Sequence, residues 1–341
     1  MTRVVLAGGG HVHAQVLLSF RNFVSKHLDV VLVNEVPKHT YSGMVPGVIA
    51  GHYAIEEAQI DLGRLALEAG GAFIQGRVER IDPGEKRLFL VGGETVDYDV
   101  LSLNIGSAPE SAGTDAIPVK PFEALFSQWR KILARGQLAP RVAVVGAGAA
   151  GVELAMAMKF ALGRRSGGSV ELFSDRFDLP PAFAVRIQAA LARLAIPLRI
   201  GVTAGKECDA TFLATGPSAA PMLQASGLQT DARGFVLVDA SLRSVSHPDV
   251  FAAGDAASLA GMRVPKSGVY AVRQGPVLAD NLKRAVRGMA MRDYRPQAKS
   301  LALLSCGGRY AIAARGDWSA EGAWAWRLKD WIDRRWIARF R

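Results

Sequence analysis

Cysteine is nearly absent from this chain. Its 341 residues include two, Cys208 and Cys306, with no CxxC or CxxxxC spacing. That argues against a disulfide framework and against a thiolate zinc site, and it is the usage of a reducing compartment. An uninterrupted apolar run of bilayer length is also missing. The most apolar stretch, Val142–Leu162, is broken by Gly146, Gly148, Gly151, Glu153 and Lys159, and reads as a buried strand, a glycine turn and a helix. A leader is not expected, because the first strand pattern, Arg3–Ala7, starts almost at Met1. A cytoplasmic location is the expectation that goes with this cysteine usage. Carboxylates are in deficit, 31 Asp and Glu against 41 Lys and Arg, for a net charge of +10. Such an excess favours an anionic partner: a phosphorylated cofactor, an acidic membrane surface or nucleic acid. No nucleic-acid recognition module is visible, so nucleic acid is not expected as a partner.

Glycine, in contrast, is abundant, with 36 residues, and clusters beside apolar runs as phosphate-binding turns do. Arg3–Ala7 is followed by Gly8-Gly9-Gly10, an apolar helix from about Val12 to Val24, and a strand, Val30–Val33, ending at Glu35. The pattern returns after Pro140: strand Val142–Val145, the turn Gly146-Ala147-Gly148-Ala149-Ala150-Gly151, a helix from Val152 to about Leu162, and strand Ser169–Phe173. Two copies of one βαβ unit imply an α/β fold with two Rossmann-like dinucleotide-binding domains. Val100–Asn104 runs into Ile105-Gly106, and Ala210–Leu213 into Ala214-Thr215-Gly216, each closing its half. Pro118–Pro121 is the expected crossing to the second domain. Val250–Ala253, leading to Gly254-Asp255, lacks a partner there and is expected to return to the first.

The glycines serve a phosphate chemistry. The first allows the tight turn out of the strand, and the second lets backbone amides approach a pyrophosphate at the positive end of a helix. Gly8 and Gly10 fill these places, and Glu35 is placed to hold ribose hydroxyls. The third glycine is replaced by His13, which weakens the first motif taken alone. His11 and His13 have no third ligand nearby, so no metal is expected. The second loop is a complete GxGxxG through Gly146, Gly148 and Gly151. Its acidic strand end is ambiguous: Asp175 suits the ribose of NADH, whereas Ser174 and Arg176 suit a 2′-phosphate.

In this order the motifs resemble the pyridine nucleotide–disulfide oxidoreductase superfamily of FAD-dependent flavoproteins, with its glutathione reductase-like FAD/NAD(P)-binding fold. The resemblance implies FAD at the first loop, with Gly254 and Asp255 at its ribityl chain and Gly106 in the closing turn, and NAD(P)H at the second, with Gly216 closing it. It divides the chain into an FAD-binding domain (residues 1–117 and 234–300), an NAD(P)H-binding domain (118–233) and a C-terminal region (301–341). The redox CxxxxC of the disulfide reductases is missing. In its place His39–Gly47, reading HTYSGMVPG, looks like the flavin-side loop of type II NADH dehydrogenases and of the flavoprotein module fused to selenide, water dikinase. Val264–Gly275 resembles the flavin-ring helix start of the same branch. The implied activity passes hydride from NAD(P)H to FAD and then electrons to a quinone-type acceptor, without proton pumping. A sulfur or selenium acceptor, or a redox sensor without turnover, remain alternatives. Lys266, Gln274 and Tyr41 are the candidate catalytic residues: Lys266 as a positive charge beside the flavin ring, Gln274 presenting its amide to the ring, and Tyr41 lining an acceptor pocket with Met44, Pro46 and Tyr270. His11, Ser42 and Glu153 complete the candidate cofactor contacts.

The tail, Trp324–Phe340, is basic and aromatic. On a helix, Trp324, Leu328, Trp331 and Ile332 share a face, with charge from Arg327, Lys329, Arg334, Arg335, Arg339 and Arg341. That composition suits a helix lying on an anionic membrane surface, peripheral on the inner face of the cytoplasmic membrane. Packing on the flavin domain or a homodimer contact is the competing expectation.

Overall fold

A computed structural model describes residues 1–21, 23, 28–110, 116–134, 139–165, 167–204 and 207–341. Two parallel five-stranded sheets organise them. Thr2–Ala7 is the middle strand of the first, and Val4 to Ala7 are fully buried, as in a strand covered on both faces. Leu28–Asn34 pairs on one side and Val100–Leu103 on the other. Ala72–Gln75 extends one edge, and Val250–Ala252, from far later in the chain, extends the other. In the second sheet Arg141–Val145 is central, between Ser169–Ser174 and Ala210–Leu213. Leu198–Ile200 and Ile117–Pro118 form its edges. Each glycine loop leaves the C-terminal end of a middle strand where the strand order reverses, the place at which open α/β sheets bind ligands.

The first loop leads into helix His11–Phe20, which packs against helix Gly268–Val286. This first helix stops at Phe20, short of the expected Val24, which lies outside the described residues. The second loop leads into Ala149–Gly163. That helix is apolar nearly all round because it is enclosed. The second sheet covers it on one side. The short helix Val45–Ile49 and an antiparallel sheet of Ala302–Ser305, Ala311–Arg315 and Trp318–Gly322 cover it elsewhere. The C-terminal helix, Ala323–Ile337, follows that sheet. Among the described residues no helix is long and apolar enough to cross a membrane.

Candidate active site

The two glycine loops repeat at the level of atoms. Gly8 and Gly146 have φ of +91° and +111°, which a side chain would strain. A Cβ on Gly8 would lie 2.6 Å from the Asn104 carbonyl oxygen, and one on Gly146 2.4 Å from that of Ala214. Each loop thus presses on the end of its closing strand. Gly10 and Gly148 cap the helices with extended backbone and no side-chain bond, which leaves positive helix ends for phosphate. The third positions differ. A Cβ on Gly151 would fall 1.8 Å from the Gly146 oxygen, so helix and loop touch directly. In the first unit the His13 ring fills this space, with Nδ1 2.6 Å from the Gly8 oxygen and Nε2 2.8 Å from Ser102 Oγ. A carbonyl only accepts, so Nδ1 carries the proton and Nε2 accepts from the hydroxyl. Burial pushes this imidazole down to about 4, against a weaker opposing effect of the Gly8 hydrogen bond. It is a neutral plug, and both its nitrogens are engaged.

Around the first loop the structure gathers distant residues. Asn104, which the sequence marks only as part of a closing turn, is a clamp. Its Oδ1 accepts from the Val12 and His13 amides at 3.2 and 3.4 Å, and its Nδ2 donates to the Ala253 oxygen at 2.9 Å. Asp255 Oδ2 accepts from Ser107 Oγ at 3.2 Å and from Lys120 Nζ at 3.1 Å. Lys120, on the crossing between the two sheets, also escaped the sequence reading. Ser42 Oγ meets His11 Nε2 at 3.2 Å. Burial, His39 and Lys120 hold His11 well below the ordinary histidine range, and burial and Lys120 hold His39 down to about 4. His39 Nε2 is buried with no partner. Glu35 lies exposed just beyond the strand end, while the neighbouring Asn34 side chain takes the Gly9 amide at 2.8 Å. The glycine turn before helix His11–Phe20, an orphaned imidazole nitrogen and a lysine–carboxylate pair at the strand ends fit a flavin dinucleotide.

The structure gives two of the candidate catalytic side chains definite partners. Gln274 Oε1 accepts from the Gly254 amide at 2.6 Å, so its oxygen secures the turn that carries Asp255. Lys266 Nζ donates to the Ala257 oxygen and lies 3.9 Å from the Phe235 ring centroid. Burial lowers it to about 8, against the pull of Asp255. Met44 and Pro46 are buried.

The densest cluster of charge lies between the flavin-side loop and the second unit. Tyr41 Oη donates to Asp333 Oδ1 at 3.0 Å and its ring stacks on Trp336 at 4.2 Å. Lys329 Nζ donates to Asp333 Oδ2 at 2.8 Å and to the Gly43 oxygen at 2.6 Å, and lies 3.9 Å from Glu153 Oε1. Glu153 Oε1 accepts from the Ser305 amide at 2.7 Å. Burial raises Glu153 to about 7, although Lys329 and the Ser305 hydrogen bond oppose the rise. Burial alone would lower Lys329, but Glu153 and Asp333 outweigh it and hold the ammonium above the ordinary lysine range. Burial and Asp333 push the Tyr41 phenol far up. Lys329, one of the charges of the basic tail, is turned inward. Arg334 is likewise paired, with Glu57 at 3.0 Å and Asp330 at 2.9 Å.

The expected aromatic stripe is the outward face. Trp324 and Trp331 are 46% and 57% exposed, while the inward face of the same helix carries Ala325, Asp333, Trp336 and Ile337. At the second loop, Ser174 Oγ accepts from the Ala147 amide at 3.2 Å and Arg176 pairs with Asp178 at 3.1 Å. Asp175 is exposed at the strand end. Gly216 lies where the two halves meet, its oxygen accepting from the Glu110 amide at 2.9 Å. Both cysteines are free, and burial pushes the Cys306 thiol up to about 12, away from nucleophilic use.

The sequence profile of the pyridine nucleotide-disulphide oxidoreductase family matches residues 2–275. The chain belongs to this family of oxidoreductases, whose cofactors are FAD and NAD(P)H. Among curated proteins it is similar to ferroptosis suppressor protein 1 of Taeniopygia guttata, 25% identical over 268 residues that cover 70% of each chain. Its fold is similar to that of the sulfide:quinone oxidoreductase from Aquifex aeolicus, with a TM-score of 0.81, 17% identity, and 100% and 92% of the two chains covered. It is also similar to NDH2 from Plasmodium falciparum in complex with NADH, with a TM-score of 0.77, 13% identity, and coverage of 99% and 97%.

Proposed function

We propose that this flavoprotein oxidises NADH and delivers the electrons to a quinone-type acceptor at an anionic membrane surface. The observation that carries this reading is the largely buried Glu153–Lys329–Asp333–Tyr41 cluster. Reducing a quinone needs protons as well as electrons. A carboxyl group poised near neutrality beside a fixed ammonium is the acid–base pair such a step requires. Bound FAD supplies the two-electron transfer between nicotinamide and acceptor. The protein holds Asp255 and Lys120 at the dinucleotide, keeps His11 and His39 neutral, and stores a proton at Glu153 Oε2 or Oε1. Lys329 orients Asp333, which in turn fixes the Tyr41 phenol on the flavin-side loop.

The name of one similar protein, a sulfide:quinone oxidoreductase, supports a quinone as acceptor, and the NADH bound to the similar NDH2 supports NADH as donor. A thiol-based sulfur acceptor is disfavoured by the protonated Cys306. NADH is preferred because Asp175 is free to meet a 2′-hydroxyl, whereas Ser174 and Arg176 are engaged elsewhere. We divide the chain at residues 117–118 and 233–234; this keeps Arg141–Val145, Ser169–Ser174, Leu198–Ile200 and Ala210–Leu213 together in the NAD(P)H-binding half, while the edge strand Ile117–Pro118 spans the first boundary. Exposed Trp324 and Trp331, flanked by Arg327, Arg335 and Arg339, provide the membrane contact. The test is steady-state oxidation of NADH by FAD-loaded protein with a short-chain benzoquinone. Turnover that falls at least tenfold in Lys329→Met supports the assignment. Absence of quinone-dependent turnover in the unaltered protein, with either nucleotide, would remove it.

A further inference from the structure

A hollow lies away from the cofactor loops. Helix Val45–Ile49 of the flavin-side segment crosses the far end of helix Ala149–Gly163, and helix Phe122–Ala134 lies beside them. Together they line a cavity of about 490 Å³ that is open to solvent on one side, within the range of about 300–1,000 Å³ typical of small-molecule sites. Helix Ala149–Gly163 has 15 residues, so its far end is roughly 20 Å from the phosphate-binding turn. A dinucleotide seated in that turn does not fill this cavity.

The lining has a divided chemistry. Its floor is apolar, with Ile49, Phe126, Trp129 and Ala161 buried and Ile55 and Leu133 half-buried. The one indole donor there, Trp129 Nε1, is spent on the Ile49 oxygen at 3.2 Å. Every polar side chain on the lining is an arginine: Arg130, Arg164 and Arg165. All three are exposed, and among the described residues none forms an ion pair with a carboxylate. Arginines at the end of helix Ala149–Gly163 complement its dipole without any ligand. Arg130 stands on a different helix, and that argument does not cover it. Three unneutralised guanidinium groups beside an apolar pocket of this size are complementary to one kind of molecule.

We propose that this cavity binds a single-chain amphiphile with an anionic head, carboxylate or phosphate, whose chain lies against Phe126, Trp129 and Leu133 while its head meets Arg130, Arg164 and Arg165. Guanidinium groups suit either head because their forked donors match planar or tetrahedral oxyanions. The ligand spans the short helix of the flavin-side loop and two helices of the NAD(P)H-binding half.

Calorimetric titration of the FAD-loaded full chain tests this, with dodecanoate and dodecyl phosphate kept below their micelle concentrations. Dodecanol and inorganic phosphate supply the chain and the charge separately. Saturable binding of one or both anionic amphiphiles is expected, with one molecule per chain and at least tenfold weaker binding of dodecanol. The relative affinity of the two anions assigns the head. Arg130→Gln/Arg164→Gln/Arg165→Gln should weaken binding at least tenfold, and so should Leu133→Glu, which sets a carboxylate in the apolar mouth. Melting temperature and flavin content verify that the variants are folded. Trp324→Ser/Trp331→Ser should leave binding unchanged. The proposal is overturned if dodecanol binds as well as the anions, if neither anion binds, or if only the tryptophan variant loses binding.

Discussion

Glu153→Gln should make the protein more stable at pH 8 while depriving it of turnover. The side chain is raised to about 7 from an ordinary 4.5, chiefly by burial. That difference, already net of the attraction from Lys329, corresponds to roughly 3 kcal/mol disfavouring the ionised form in the folded state. The sign follows from linkage. Between about pH 4.5 and about pH 7 the folded protein holds a proton that the unfolded chain has released, so stability falls as pH rises through this window. Below it the glutamate is protonated in both states and has no such cost; above it the full cost applies. Glutamine keeps an oxygen for the Ser305 amide and leaves Lys329 paired with Asp333. Melting of the FAD-loaded variant and parent should coincide near pH 4.5 and separate progressively, reaching on the order of 5 °C in favour of the variant above pH 7. Turnover with quinone should fall by about a hundredfold, the usual scale of a lost general acid, while flavin reduction by NADH stays fast. Parallel melting curves across the whole pH range would refute the reasoning, because Glu153 would then be ionised without penalty.

Other substitutions probe the remaining parts. Gly151→Ala forces a Cβ onto the Gly146 oxygen; flavin content should hold, but its reduction by NADH in stopped flow should slow by about a hundredfold, as displaced reactants do. His13→Ala strands Ser102 Oγ and the Gly8 oxygen beside a void, and denaturant unfolding should register a loss of about 2–4 kcal/mol. Asp175→Ser should lower kcat/KM for NADH about tenfold relative to NADPH, through loss of a charged hydrogen bond. Trp324→Ser/Trp331→Ser removes two exposed rings; melting should shift by less than about 1 °C, and co-sedimentation with phosphatidylglycerol vesicles should drop about tenfold.

The duplicated unit was legible in the sequence because it rests on local rules. A strand that must turn within three residues needs glycine at a positive φ, and Gly8 and Gly146 both have it. The return of Val250–Ala252 to the first sheet was legible because that strand had no neighbour in the second half. The cluster around Lys329 was not. Helical periodicity correctly put Trp324 and Trp331 on one face, yet it cannot say which face turns inward. An apolar stripe normally does; here the inward face carries Lys329, Asp333 and Trp336. Lys120 and Asn104 were hidden for a different reason. Their partners Asp255 and Ala253 are 135 and 149 residues away, and only the tertiary fold brings them together. His13, which looked like damage to a motif, needed the opposite strand's Ser102 before its role could be read.

The central claim, that electrons pass from NADH through the flavin to a quinone with protons managed by the Glu153–Lys329 pair, is tested most directly by anaerobic half-reactions in stopped flow. FAD-loaded protein should bleach rapidly on mixing with NADH, and the reduced protein should regain its colour rapidly on mixing with a short-chain benzoquinone. In Lys329→Met the first phase should remain and the second should slow at least tenfold. A reduced protein that recovers its colour no faster with the quinone than in buffer alone would contradict the account.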